Sequence, residues 1–162
     1  MKKAILFAAA VLVASAAAAD QLPHRKSGLW QITDAMSSSK MPPLSSKLCI
    51  DARTDDAIMS KGNAASKRMC SRHSLKMGGN VATINSTCKF GRSTITTRST
   101  ITFSGDAAYR TETHVRYSPP LHGRVESVMT QDARWMGSCP PDMKAGEMIG
   151  PNGMKMNMSG AR

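Results

Sequence analysis

Aromatic side chains are scarce, with three Phe, two Tyr and two Trp in 162 residues. That scarcity excludes a single-stranded nucleic-acid platform, which stacks successive bases on aromatic faces. The short catalytic and cofactor signatures are missing as well. There is no GxSxG, no HExxH, no phosphate-binding loop and no dinucleotide fingerprint. No CxxC pair occurs, which removes the common zinc frameworks. His24, His73, His114 and His122 are separated along the chain. Past residue 19 no apolar run approaches the roughly 20 residues that a membrane-spanning helix takes. These absences lead to a chain that is not an enzyme of a recognised type, holds no cofactor, binds no nucleic acid and is not membrane-spanning.

An export signal stands at the start. Met1-Lys2-Lys3 is a short basic head, Ala4 to Ala14 is unbroken apolar sequence, and Ala17-Ala18-Ala19 before Asp20 is a small-residue cleavage site. Those are the three parts of a secretory signal peptide over residues 1–19, with cleavage expected after Ala19 and delivery to the periplasm. No Cys follows the cleavage site to carry a lipid. Removing 19 residues leaves 143, enough for one domain with a modest core, and lowers the formal net charge from +11 to +9. The remaining cations are scattered from Arg53 and Lys61 to Lys89, Arg92 and Arg98 rather than blocked into a tail. A scattered excess aids solubility and gives weak attraction to anionic envelope components. Another envelope protein is the alternative partner.

Four cysteines in an exported chain allow two disulfides and three connectivities. Cys70 and Cys88 lie symmetrically about Gly79, inside the turn signal Gly78-Gly79-Asn80. Antiparallel strands meeting at that turn place the two cysteines opposite one another, about 4.5–5.5 Å apart at Cα, a separation that a disulfide accepts. The pairing expected is therefore Cys70 with Cys88, which leaves Cys49 with Cys139.

The fold expected is all-β, mainly antiparallel. It is a twisted meander or partial barrel over residues 20–139 with one short helix and two disulfides. Gly28 to Met36 is a strand after a polar lead-in, and residues 37–46 form a loop by composition. A helix follows Cys49, capped by Asp51 or Thr54, favoured by Asp55 and Asp56 at its positive end, and stopped at Lys61-Gly62. Arg92 to Phe103 alternates with period two, Ile95, Ser99, Ile101 and Phe103 against Thr94, Thr96, Arg98, Thr100 and Thr102. Ala108 to Tyr117 alternates again until Ser118-Pro119-Pro120 breaks it, and Gly123 to Met136 adds a further strand. After Cys139-Pro140-Pro141, residues 140–162 form a tail rich in Met, Gly and Pro, with an edge strand near Met154 to Met158.

Several segments together resemble a known family. Gly28-Leu29-Trp30 stands near the mature start, four spaced cysteines follow, and Phe103-Ser104-Gly105-Asp106 marks a hairpin. Trp135-Met136-Gly137-Ser138-Cys139 then runs into Pro141-Asp142-Met143-Lys144-Ala145-Gly146-Glu147-Met148. The pattern resembles the small exported bacterial proteins known as domain of unknown function 3617. The chain departs from it at Ser27 and Ala145, where the family often has Pro. The resemblance implies an envelope location and a β-rich, disulfide-bonded domain, and it brings no activity and no functional residues.

Twelve methionines in the mature chain are the oddest chemical feature. Met154, Met156 and Met158 project from one face of a strand, and thioether sulfur is a soft ligand that selects Cu(I) or Ag(I). The plainer account is that Met fills space in a chain poor in Leu, Ile and Phe. Glu112 and His114 share the polar face of one strand, an arrangement suited to acid–base work but more ordinary as a solvated surface pair. The leading functional reading is a non-enzymatic envelope module that binds a partner or small ligand. A soft-metal binder and an enzyme of unrecognised type are the alternatives.

Overall fold

The computed structural model describes residues 21–37 and 42–160. The expected signal segment, residues 1–19, lies outside the described residues. Strand β1 (Gly28–Met36) and strand β2 (Leu44–Ile50) lead into helix α1 (Ala52–Met69). Five consecutive strands follow, β3 (Cys70–Gly78), β4 (Val81–Phe90), β5 (Ser93–Ser104), β6 (Ala108–Leu121) and β7 (Arg124–Gly137). Two short ones close the chain, β8 (Glu147–Ile149) and β9 (Lys155–Asn157). All pair antiparallel in one open sheet of order β3-β4-β5-β6-β7-β1-β2-β8-β9. The first strand thus slots beside the last strand of the meander and ties the two ends of the chain together.

Period-two alternation decides which face is wet. The inner face carries Trp30, Ile32, Leu48, Ile50, Phe103 and Ala133, all buried, with Tyr109 and Met148 packed against them. The outer face carries Arg98, Arg110, Glu112, His114, Arg116 and Asp132. Trp30 is 1 % exposed at the centre of the core and its ring lies 5.8 Å from that of Tyr109. Its indole N–H donates to the Lys26 carbonyl at 2.8 Å, which removes the cost of burying that donor.

Helix α1 starts at a reciprocal cap. The Thr54 N–H donates to the Asp51 carboxylate at 2.7 Å, while the Asp51 N–H donates to the Thr54 hydroxyl at 2.9 Å. The bond from the Thr54 N–H holds the Asp51 carboxyl below its ordinary value. The helix is longer than expected, because Gly62 does not stop it. One glycine costs about 1 kcal/mol in a helix interior, and Ala64, Ala65, Lys67 and Arg68 beyond it are good helix formers. The basic last turn also faces the negative end of the helix.

Both disulfides form in the expected pairing, Cys49 with Cys139 and Cys70 with Cys88. The hairpin register differs from the expected one. Gly78 pairs with Val81 and Arg72 with Thr87, so the turn is the two-residue loop Gly79-Asn80 rather than one centred on Gly79. Gly79 takes φ +62°, as the favoured two-residue hairpin turn requires. A bulge at Ser71 absorbs the offset and returns Cys70 to Cys88. Two breaks are likewise displaced. Strand β2 starts at Leu44, inside the expected loop, and β6 runs on through Ser118-Pro119-Pro120 to Leu121. There the ladder shifts register past Arg116, and the Ser118–Pro119 peptide is cis. A bulged hairpin end tolerates proline because no ladder bond is demanded of it.

Gly28 marks a close backbone crossing between β1 and the end of β7. It holds φ +134°, and a Cβ there would strike the Gly137 carbonyl oxygen and stand 2.5 Å from the Trp135 indole nitrogen. Gly28→Ala should therefore lower stability by about 2 kcal/mol or more, read from urea unfolding. A change within experimental error would contradict this account of the crossing.

Candidate ligand-binding cleft

Helix α1 and the lead-in residues 21–27 lie over the inner face of strands β4 to β7. They do not fill it, and a cleft of about 290 Å³ stays open beneath them. The lead-in contributes Leu22 and Pro23, the helix contributes Met59, and the sheet contributes Ile84, Ile101 and Phe103. Ser99 and Thr111 continue the floor as small side chains, and the Ser99 and Thr113 hydroxyls bond each other at 2.9 Å. The cleft exists because the inward positions of β4, β5 and β6 alternate apolar groups with small hydroxyls too short to reach the helix. A second groove of about 350 Å³ lies around Thr102, Arg110, Asp132 and Arg134. Its Arg110–Asp132 pair is half-exposed at 2.6 Å, so the charges there offer a ligand little that water does not.

One end of the cleft is closed by a chain of polar groups. Arg25 and Asp55 form a buried ion pair, with side chains 11 % and 4 % exposed. Arg25 Nε donates to Asp55 Oδ1 at 2.9 Å, a second guanidinium nitrogen donates to the same oxygen, and the Arg25 backbone N–H donates to Oδ2 at 3.2 Å. The remaining guanidinium nitrogen reaches the Tyr109 hydroxyl at 3.5 Å. That hydroxyl donates to Gln131 Oε1 at 3.3 Å, and Gln131 Nε2 donates to Asp34 Oδ1 at 2.9 Å. Burial works against the Arg25 charge, but Asp55 and Tyr109 outweigh it and raise the guanidinium above its ordinary value. Burial also pushes the Tyr109 phenol up, only partly opposed by Arg25. At neutral pH the cleft therefore presents a neutral phenol, an amide and the Arg25 guanidinium, whose charge Asp55 compensates.

The family described as protein of unknown function (DUF3617) matches residues 25–139. The chain belongs to this family. No curated protein and no solved structure matches it. The DUF3617 region spans the lead-in arginine of the ion pair, α1, strands β1 to β7 and all four cysteines.

The groups singled out from the sequence are dispersed over the DUF3617 chain. His114 Nε2 and Glu112 Oε1 meet at 2.6 Å, but on the outer face, and both side chains are more than half exposed. His24 lies at the surface beside Asp56, and His122 occupies a turn with φ +49°. His73 is half-buried on the inward side of β3. Met154, Met156 and Met158 are exposed along and beside β9, and Met156 sits opposite Met148. Among the described residues no group of three or more His, Cys, Asp or Glu converges as a metal site would need, and no helix is long and apolar enough to cross a membrane. Sequence reasoning missed Arg25, Asp34 and Gln131, and it gave Asp55 only a helix-dipole role. One signal for Asp55 was present. It stands three residues before Ile58, on the helix face that turns inward.

Asp55→Leu should cost about 3–5 kcal/mol in urea unfolding, because Arg25 is left charged and buried. Arg25→Met with Asp55→Leu should recover most of that loss, and a double variant no better than the single one would refute the clamp. Tyr109 supplies a pH test. Its folded value is raised, so its stabilising contribution is complete below the ordinary tyrosine value of about 10 and declines as pH rises beyond it. Alkaline unfolding of Tyr109→Phe should lack that decline, and identical profiles for both proteins would contradict it.

Proposed function

We propose that this DUF3617 chain is an exported, non-enzymatic binding module of the bacterial envelope, and that a small, mainly apolar ligand occupies the cleft. The observation that carries the reading is the lining. Leu22, Pro23, Met59, Ile84, Ile101 and Phe103 enclose the space, and Tyr109, Gln131 and the Asp55-paired Arg25 stand together at one end. A few convergent polar groups in an apolar cleft are the usual makings of a small-molecule site, and about 300 Å³ is the lower end of the usual range. The ligand class is thus a compact apolar body with one hydrogen-bonding group.

The supports for location are separate from the cleft. Residues 1–19 have the three-part form of a secretory signal, and two disulfides persist only where thiols are not kept reduced. The non-enzymatic reading rests on what lines the cleft. Among the described residues its lining includes no histidine and no carboxylate, and Tyr109 keeps its proton at neutral pH. The positive charge biases any further partner towards anionic envelope components.

Binding can be read with the neutral apolar dye N-phenyl-1-naphthylamine. The mature chain should give a saturable fluorescence increase. Ser99→Phe, which fills the floor of the cleft, should weaken it at least about tenfold. Thr96→Phe, on the outer face, should bind like the parent. Absence of saturable binding, or equal binding by all three, would contradict a ligand cleft.

A further inference from the structure

Residues 57–105 carry eight Lys and Arg and no Asp or Glu. The fold makes of that stretch most of α1 and strands β3, β4 and β5, one flank of the sheet. Several of the cations then gather at a single point. The Cys70–Cys88 disulfide joins the start of β3 to the end of β4. Beside it stand Lys67 and Arg68 in the last turn of α1, Lys89 on β4 and Arg92 in the β4–β5 turn, all exposed. At the same tip two large apolar side chains face solvent, Met69 at 68 % exposed and Phe90 at 62 %. The β6–β7 hairpin ends on the same side of the sheet and adds exposed Val125 between Arg124 and Glu126, with Glu126 paired in register with Arg116.

Single exposed apolar residues are ordinary. Apolar side chains at a tip ringed by cations and free of nearby acids along 49 residues of chain are a different arrangement. It matches a membrane interface, where apolar groups enter the boundary of headgroups and acyl chains while Lys and Arg meet anionic phosphates. We propose that this tip docks the protein on an anionic phospholipid surface, with Phe90 and Met69 entering the headgroup layer and Lys67, Arg68, Lys89 and Arg92 on the phosphates. A polyanion without an apolar layer would have no use for Phe90. The disulfide holds the helix end and the β4–β5 turn together, so the tip is presented as one rigid surface. The lead-in meets the sheet at its other end, where the Lys26 N–H donates to the Asp106 carbonyl at 3.0 Å. Docking therefore leaves that end away from the bilayer. The inference rests on the envelope reading for its setting and is independent of what fills the cleft.

The test is co-sedimentation of the oxidised mature chain with vesicles of phosphatidylglycerol and phosphatidylethanolamine, beside vesicles of phosphatidylcholine. Binding is expected to the first and not to the second. Lys89→Glu with Arg92→Glu should weaken it at least about tenfold, and Phe90→Ser by about tenfold. These side chains are exposed, and unchanged thermal melts will show that the variants fold. Equal sedimentation with both lipids, or full binding by the charge-reversed variant, overturns the proposal. Loss in the charge variant with full binding by Phe90→Ser shows charge attraction without entry of Phe90 into the headgroup layer and overturns it too. If no vesicle binding occurs while the dye is still held in the cleft, this inference fails alone and the proposed function stands.

Discussion

The buried pair of Arg25 and Asp55 is the constraint on which the arrangement of the inner face depends. A short lead-in whose apolar content is Leu22 and Pro23 has little apolar reason to lie over a sheet, and α1 has few large side chains with which to grip one. The ion pair supplies that reason, because each charge can be buried only if the other is buried with it. The carboxylate of Asp55 receives two guanidinium nitrogens and a backbone N–H, so its acceptor sites are largely used. The Trp30 and Trp135 indoles then fix the lead-in twice more, donating to the Lys26 and Ser27 carbonyls at 2.8 and 2.9 Å. The cleft is the space that this strap and the helix leave above the small side chains of β5 and β6.

The two disulfides act on the same element from opposite ends. Cys49 lies just before the cap of α1 and Cys70 follows its last residue directly. One bridge ties the helix start to the end of the meander and the other ties its finish to β4. Bridges of this kind typically contribute about 2–4 kcal/mol each, which matters in a domain whose fully buried apolar core is a handful of side chains around Trp30. A helix stapled at both ends cannot settle onto the sheet and close the cleft without straining one of the bridges. The framework thus protects an opening as well as a fold.

Much of this was legible in the sequence, and the parts that were not share a cause. The alternation of Ile95, Ile101 and Phe103 with threonines identified β5, because a half-buried strand has to alternate. The spacing of Cys70 and Cys88 about a glycine turn gave the correct bridge through a register one residue off, since a bulge is a local backbone choice that side-chain periodicity does not encode. Gly62 and Pro119-Pro120 were expected to end elements and do not. Each penalty is local, and the helix formers beyond Gly62 and the bulged end of β6 absorb it. Arg25 could not be found by pattern. A lone arginine in a polar segment carries no sign of burial until tertiary structure brings Asp55 to it. The methionines at the end of the chain show the reverse case. The row Trp30, Leu48, Met148, Met156 runs from the core to the edge of the sheet, so Met156 extends the packing of the inner face into solvent.

The central claim is that the inner face holds a ligand between the strap and β4–β6. Methyl-labelled nuclear magnetic resonance tests it most directly, by titrating the oxidised chain of residues 20–162 with a small apolar ligand such as an alkylphenol. The account predicts saturable shifts at Ile84, Ile101 and Met59, with Ile32 and Ile50 in the filled core unmoved. Shifts spread evenly over all methyl groups, or none at Ile84 and Ile101 at saturating ligand, would contradict it.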